Sequence, residues 1–321
     1  MPTITETVIR AQLPYWQAAL GQVVPRIQAR TVVLTGCGTS YYLAQSLACA
    51  FNAAGQNALA VPGAEWARRP ECYLADAEGV LVVGLSRSGT TSETVQAIET
   101  SRKRGWKTFA ISCEPGSTIL TAADQGLCLP TDPREGIVMS VSASLMYLGG
   151  LRMAGLTLPG TLTAAAASAL AQMDEGADRL LPGRRHFVYL GAGVNYGIAT
   201  EGCLKLQEMS LSYSQAFHPM EYRHGPVSLI DEGSLVVMLY AQETAAEEAA
   251  LVAELQAKGA KVIGFNGPGD LAVDLGLTGA AAALAALPAL QLLGEKVALS
   301  KNINSEAPRH LTKVVVLAEE V

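Results

Sequence analysis

Six short runs of consecutive apolar residues punctuate the chain: 32–35, 80–85 and 108–112 in its first half, then 187–190, 235–239 and 261–265 in its second. Helical stretches separate them. Continuous apolar strands alternating with helices predict parallel sheets covered by helices on both faces, an α/β fold class.

The runs recur in a common register. "RTVVLTGCGTSYYLA" from Arg30 aligns with "RHFVYLGAGVNYGIA" from Arg185, which puts Gly36 and Gly38 on Gly191 and Gly193 and Tyr41 on Tyr196. "GVLVVGLSRSGTT" from Gly79 aligns with "GSLVVMLYAQETA" from Gly233. "RKRGWKTFAIS" then matches "QAKGAKVIGFN", with Gly105 on Gly259. Three matches in order predict two copies of one α/β unit. An Ala-rich helix bounded by Pro-Gly at 159–160 and 182–183 joins them. The expected organisation is an N-terminal helical segment over 1–24, a first domain over 25–155 and a linker helix over 156–182. A second domain over 183–300, closed by the helix "LAALPALQLLGEKVALSK", and a C-terminal segment over 301–321 complete it.

Composition narrows the function classes. A chain of 321 residues, 50% hydrophobic and 16% charged, has the make-up of a compact protein of about two domains. A formal charge of -6 opposes general affinity for nucleic acid or an anionic membrane, so an anionic ligand must be held by a local site. No apolar run is expected to reach the roughly 20 residues of a membrane span. The start, "MPTITETVIRAQLPYW", shows no secretory signal, which predicts a cytoplasmic protein. Six cysteines lie scattered, with no C-x-x-C pair and no metal-like grouping with the four histidines; no metal site is expected.

Two stretches carry candidate chemistry. Gly36-x-Gly38 and Gly191-x-Gly193 follow strands, yet neither has the third glycine of a dinucleotide fingerprint, so no cofactor is expected. "SRSGTTSETV" follows the run 80–85 and enters a helix. An ordinary Ser/Thr N-cap explains one such hydroxyl. A socket for phosphate explains the cluster: Ser86, Ser88 and Thr91 supply hydroxyls, Gly89 lets the backbone approach, Arg87 adds charge, and the helix N-terminus attracts an anion. The second copy has "YAQET" at this place, so the fold itself does not require the hydroxyls. In "EGCLKLQEMS", Glu201, Lys205 and Glu208 lie along one helix face. A solvated Glu–Lys pair is the plain reading. The apolar neighbours Leu204, Leu206 and Met209 favour a site, where a partly dry carboxylate can move protons between adjacent carbons.

"GCGTS", "SRSGTTSET", "EGCLKLQE", "YRHGP" and "APRHLTK" together resemble the sugar-isomerase (SIS) family, over about residues 25 to 315. Within it they resemble the isomerase half of glucosamine-6-phosphate synthase and its deaminase and ketose–aldose isomerase relatives. The resemblance implies two tandem flavodoxin-like sheets with sugar phosphate bound at the strand C-terminal ends. It implies substrate contacts from Cys37, Gly38, Thr39 and Ser40, from Ser86, Arg87, Ser88 and Thr91, and from Ser140, preferred over Ser142. It makes Glu208 the enolisation base, places Lys205 near the substrate's C2, and has His224 open the sugar ring. Lys313, with Pro308 and Arg309, belongs to a loop that closes over the sugar. Glu201 orients its neighbours; His218 and Glu221 fit less firmly, and His186 and His310 look structural. It further implies a homodimer, with the histidine contributed across the interface. With Met1 at its start the sequence is expected to lack a glutaminase domain, which leaves deamination of an amino-sugar 6-phosphate or plain aldose–ketose isomerisation. A non-catalytic sugar-phosphate sensor is the rival reading; too few residues precede the first unit for a DNA-binding domain.

Overall fold

The computed structural model describes residues 2–316; residue 1 and residues 317–321, the end of the expected C-terminal segment, lie outside the described residues. The chain runs α1 (Ile4–Arg10), α2 (Leu13–Gly21), β1 (Thr31–Gly36), α3 (Thr39–Ala53), β2 (Ala58–Pro62), α4 (Gly63–Arg68), β3 (Val80–Ser86), α5 (Ser92–Lys103), β4 (Lys107–Ser112), α6 (Thr118–Ala122), β5 (Gln125–Cys128) and α7 (Val141–Met153). It continues with α8 (Leu162–Gly176), β6 (His186–Gly191), α9 (Val194–Ser210), β7 (Ser214–Phe217), α10 (Pro219–Tyr222), β8 (Ser234–Leu239), α11 (Ala245–Ala257), β9 (Lys261–Phe265), β10 (Leu271–Val273) and α12 (Gly279–Ser300). Two compact units result: the first comprises Pro14–Thr157 and His310–Val321, the second Met1–Leu13 and Leu158–Arg309.

Each unit is built on a five-stranded sheet, ordered β2-β1-β3-β4-β5 in the first and β10-β9-β8-β6-β7 in the second. Read from the other edge, the second order is the first with β6 to β10 in place of β1 to β5. Neighbouring strands are parallel throughout. The six predicted runs coincide with β1, β3, β4, β6, β8 and β9. β3 and β8 are buried at every position, as central strands covered on both faces must be.

In the first unit Val33, Val82, Ile98, Ala110 and Trp66 form the core under α5. α7 is buried along nearly its whole length, and two of its hydroxyls have internal partners: Trp16 Nε1 donates to Ser144 Oγ at 2.7 Å, and Tyr147 pairs with Ser46 at 2.6 Å. In the second unit Val188, Val236, Leu251 and Val262 form the equivalent core. α9 packs closely on β6 and α12 because two glycines let it. A Cβ on Gly202 would meet the Tyr189 ring at 2.9 Å, and one on Gly294 of α12 would lie 3.4 Å from the Lys205 carbonyl oxygen.

One expectation is corrected here. α12 has 22 residues and is long and apolar enough, by length and composition, to cross a membrane, although no such run was expected. Its apolarity has another cause: 89% of its most apolar window is buried inside the protein, against α8 and α9.

The first glycines of the two long helices adopt nearly the same conformation, Gly38 at φ 54°, ψ −126° and Gly193 at φ 55°, ψ −124°. That region is essentially closed to residues with a Cβ. A Cβ on Gly193 would meet nothing within 4 Å, so only the backbone forbids it. Gly193→Ala is therefore expected to cost about 1–3 kcal/mol of unfolding free energy, read from urea denaturation followed by circular dichroism.

Candidate functional site

In the first sheet the chain leaves β1 toward β2 on one side, and leaves β3 toward β4 on the other. Between the paired ends of β1 and β3 a crevice opens at the strands' C-terminal edge, where α/β sheets receive ligands. α3 starts there after Gly38 and α5 after Thr91, so two helix N-termini, with their positive dipole ends, meet one edge of the sheet. The loop between β3 and α5 is small and hydroxylated. Ser86 Oγ accepts from the Gly89 amide at 3.1 Å and donates to Thr91 Oγ1 at 3.4 Å. Ser88 Oγ accepts from the amide and the hydroxyl of Thr90, both at 3.2 Å. Gly89 has φ 65° and lies so close to Ser117 that a Cβ would overlap that side chain. Thr91 stands at the N-cap of α5, yet its side chain makes no capping hydrogen bond. The hydroxyls gather around the helix start without capping it.

Cys37, in the turn after β1, lies 3.6 Å from Thr94 Oγ1, and burial pushes its thiol pKa up. It is thus kept a neutral thiol. Thr39 and Ser40 are buried in the first turn of α3.

At the matching end of the second sheet the chain bonds to itself. Asn195 Nδ2 donates to the carbonyls of Leu239 and Tyr240 at 3.3 and 3.2 Å. Tyr240, at the position matching Ser86, packs on Gly267 and donates to the Pro268 carbonyl at 2.9 Å. Glu248 turns back from α11 into the loop after β8, accepting from the Ala241 amide and the Thr244 hydroxyl, both at 2.8 Å. A carboxylate of the protein thus stands where the first unit offers hydroxyls. Burial raises its pKa, against those two hydrogen bonds, which lower it.

α9 carries the charged trio. Lys205 Nζ lies 3.6 Å from Glu201 Oε1 and donates to Glu208 Oε2. The side chains of Lys205 and Glu201 are 1% and 0% exposed, whereas that of Glu208 is 20% exposed. The solvated-face reading of this helix therefore fails. Here an ammonium is desolvated between two carboxylates, an arrangement tolerable only because each charge finds opposite charge at once. Glu208 is the member that reaches solvent. His224 follows α10 on an exposed turn; its amide donates to the Glu221 carbonyl at 3.0 Å, and its imidazole makes no hydrogen bond among the described residues. His218 stacks on Tyr196 with ring centroids 3.9 Å apart. His186 Nδ1 pairs with Ser234 Oγ at 3.0 Å, and His310 is exposed.

Lys313 belongs to the first unit and α9's trio to the second. Its Nζ donates to the Glu135 carbonyl at 2.8 Å. Glu135 is itself buried ahead of α7, where its Oε1 accepts from the Ser140 amide at 2.6 Å, the Ser140 hydroxyl at 3.1 Å and the Ser142 amide at 3.0 Å. Arg87 is buried and donates to the Gly136 and Lys313 carbonyls.

A family model described as the SIS domain matches residues 27–153 and 180–270, more than half of the chain. The chain belongs to the SIS domain family. Among curated proteins it is similar to the glutamine–fructose-6-phosphate aminotransferase (isomerizing) of Pyrobaculum aerophilum, 28% identical over 318 residues, covering 91% of this chain and 52% of that protein. It spans about half the length of the curated relatives it matches. Among solved structures it is similar to a glucosamine-6-phosphate deaminase from Thermotoga maritima, with TM-score 0.87 and 30% identity over 98% of this chain and 100% of that one. The tagatose-6-phosphate ketose/aldose isomerase of Escherichia coli has the same fold, with TM-score 0.81 and 22% identity over 99% and 97% of the two chains.

Within this SIS protein the expected site residues fall into two groups. Cys37 to Ser40, Ser86 to Thr91, Ser140 and Lys313 belong to the first unit; Lys205, Glu208 and His224 belong to the second. Sequence reasoning missed Asn195, Tyr240 and Glu248 at the matching end of the second sheet. Glu248, in the first turn of α11, carried only a faint signal, since acidic residues there are ordinary.

The place of Glu248 is open to test. A carboxyl group with a raised folded pKa contributes stability that is present below its unfolded pKa and lost as pH rises through the folded value. Glu248→Gln removes that loss while keeping an acceptor for Ala241. The melting temperature of the variant relative to the parent is expected to rise as pH goes from about 4 to about 7. A difference that stays flat or falls would refute the buried, desolvated carboxylate.

Proposed function

We propose that the chain converts an amino-sugar 6-phosphate to the corresponding ketose 6-phosphate and ammonia. The observation that carries this reading is the likeness to the Thermotoga maritima glucosamine-6-phosphate deaminase over 98% of this chain and 100% of that one. The aminotransferase relative is covered over only 52% of its length. Membership of the SIS family supports the broader class, sugar-phosphate chemistry.

Ser86, Ser88 and Thr91, with the amides at the start of α5, hold the phosphate. His224 opens the pyranose by moving a proton between the C1 hydroxyl and the ring oxygen. Glu208 removes the proton from C2 of the open-chain aldehyde, giving a 1-enol-2-amine, and returns a proton to C1. The product of that transfer is the C2 imine. Water adds at C2, the C–N bond breaks and ammonia leaves, with no change of oxidation state overall. The Lys205 ammonium, bonded to Glu208 in the resting protein, offsets the charge that develops on the enol oxygen. Lys313 closes over the sugar and limits access of water to the enol. The protein works in the cytoplasm as a homodimer, with His224 facing the partner's site.

Two experiments follow. With glucosamine 6-phosphate as substrate, free ammonia and fructose 6-phosphate are expected in equal amounts, and Glu208→Gln is expected to bind the sugar while losing at least about a hundredfold in turnover. Isomerisation of glucose 6-phosphate without action on the amino sugar would replace the reading by plain aldose–ketose exchange. Mixing inactive Glu208→Gln and His224→Asn proteins is expected to restore activity through hybrid dimers. No recovery after subunit exchange is demonstrated by mass spectrometry would place His224 in its own chain's site.

A further inference from the structure

Arg87 sits between two serines of the hydroxyl loop, and its charge invites a phosphate. Its surroundings assign it elsewhere. The side chain is 8% exposed although it belongs to a loop, and its fork of donors is divided between two segments remote in sequence. Nη1 donates to the Gly136 carbonyl and Nη2 to the Lys313 carbonyl, both at 2.9 Å. Glu135 Oε2 lies 4.0 Å from Nη1. The backbone of Arg87 is fixed as well: its carbonyl accepts from the Cys113 amide at 3.1 Å and from Ser112 Oγ at 3.2 Å, at the end of β4.

Lys313 is held from its other side, because its Nζ donates to the Glu135 carbonyl at 2.8 Å. Two residues later the Val315 carbonyl accepts from the Ser92 amide, in the first turn of α5, at 3.4 Å. Residues 313–315 are thus stitched to the loop before α5 and to the loop before α7. Arg87 bonds both the latter loop and the C-terminal segment, while its own backbone neighbours carry the hydroxyls of Ser86 and Ser88. A planar guanidinium with donors in fixed directions can bridge two carbonyls in this way; an ammonium cannot reproduce the fork.

We propose that Arg87 is a positioning residue for Lys313 rather than a phosphate ligand. It ties the C-terminal segment to the hydroxyl loop, so that an anion settling in that loop fixes the arginine and, through it, the lysine. This rests on the proposed function in two respects, that the hydroxyl loop holds phosphate and that Lys313 acts during turnover.

The test uses the full chain with Arg87→Ala and Arg87→Lys, both checked for folding by circular dichroism. Inorganic phosphate and glucosamine 6-phosphate are titrated calorimetrically, and trypsin cleavage after Lys313 is timed by mass spectrometry with and without phosphate. In both variants phosphate affinity is expected to stay within about threefold of the parent, since the hydroxyls and helix amides remain. Cleavage after Lys313 is expected to quicken at least about tenfold and no longer to slow when phosphate is added, and kcat to fall at least about tenfold with KM little changed, the mark of a displaced group. Arg87→Lys keeps the charge and loses the fork, so rescue by lysine would overturn the proposal. Loss of phosphate affinity with unaltered cleavage would overturn it too and make Arg87 a ligand. The cleavage and phosphate measurements decide the matter even if the amino sugar proves not to be the substrate.

Discussion

A helix that begins at the end of a parallel strand leaves backbone N–H groups unpaired at the sheet's edge, and something must answer them. This protein meets that requirement in different ways. Before α7 it supplies its own carboxylate, Glu135, bonded to the amides of Ser140 and Ser142. In the loop leading to α11 it again supplies a carboxylate, Glu248, bonded to the Ala241 amide. Before α5 it supplies hydroxyls that bond to one another and to the Gly89 and Thr90 amides, and the helix is left uncapped by a side chain. There the Ser92 amide bonds instead to the Val315 carbonyl of the C-terminal segment.

The same requirement explains why the first unit holds the expected phosphate contacts although both units share a strand order. The α9 trio obeys a related rule at greater depth. Lys205 is almost wholly buried, and Glu201 and Glu208 bracket its Nζ. Gly294 lets α12 approach α9: a Cβ there would lie 3.0 Å from Met209 Sδ.

Much of this was readable from the chain. Runs such as 80–85 and 235–239 were legible as strands because central parallel strands are apolar on both faces, and they fall within β3 and β8. The edge strands β2, β5, β7 and β10 are short or only partly buried and left no such run. The spacing of Glu201, Lys205 and Glu208 gave their common face, but not the burial that turns a surface ion pair into a desolvated one. Local pattern also could not reveal what Arg87 touches, since Lys313 lies 226 residues away. What Tyr240 and Glu248 touch is likewise a matter of packing: Tyr240 meets the loop after β9, 27 residues on, and Glu248 folds back on its own loop.

Glu248 has one more consequence. A carboxylate tethered to its own loop competes with dissolved anions at an effective concentration set by the fold, and well-oriented intramolecular groups reach values far beyond any solute. That end of the second sheet is in this sense permanently inhibited by the chain that forms it. On the proposed reading, a single chain then binds one equivalent of sugar phosphate along a simple hyperbola, and any cooperativity arises between chains rather than between the two halves of one.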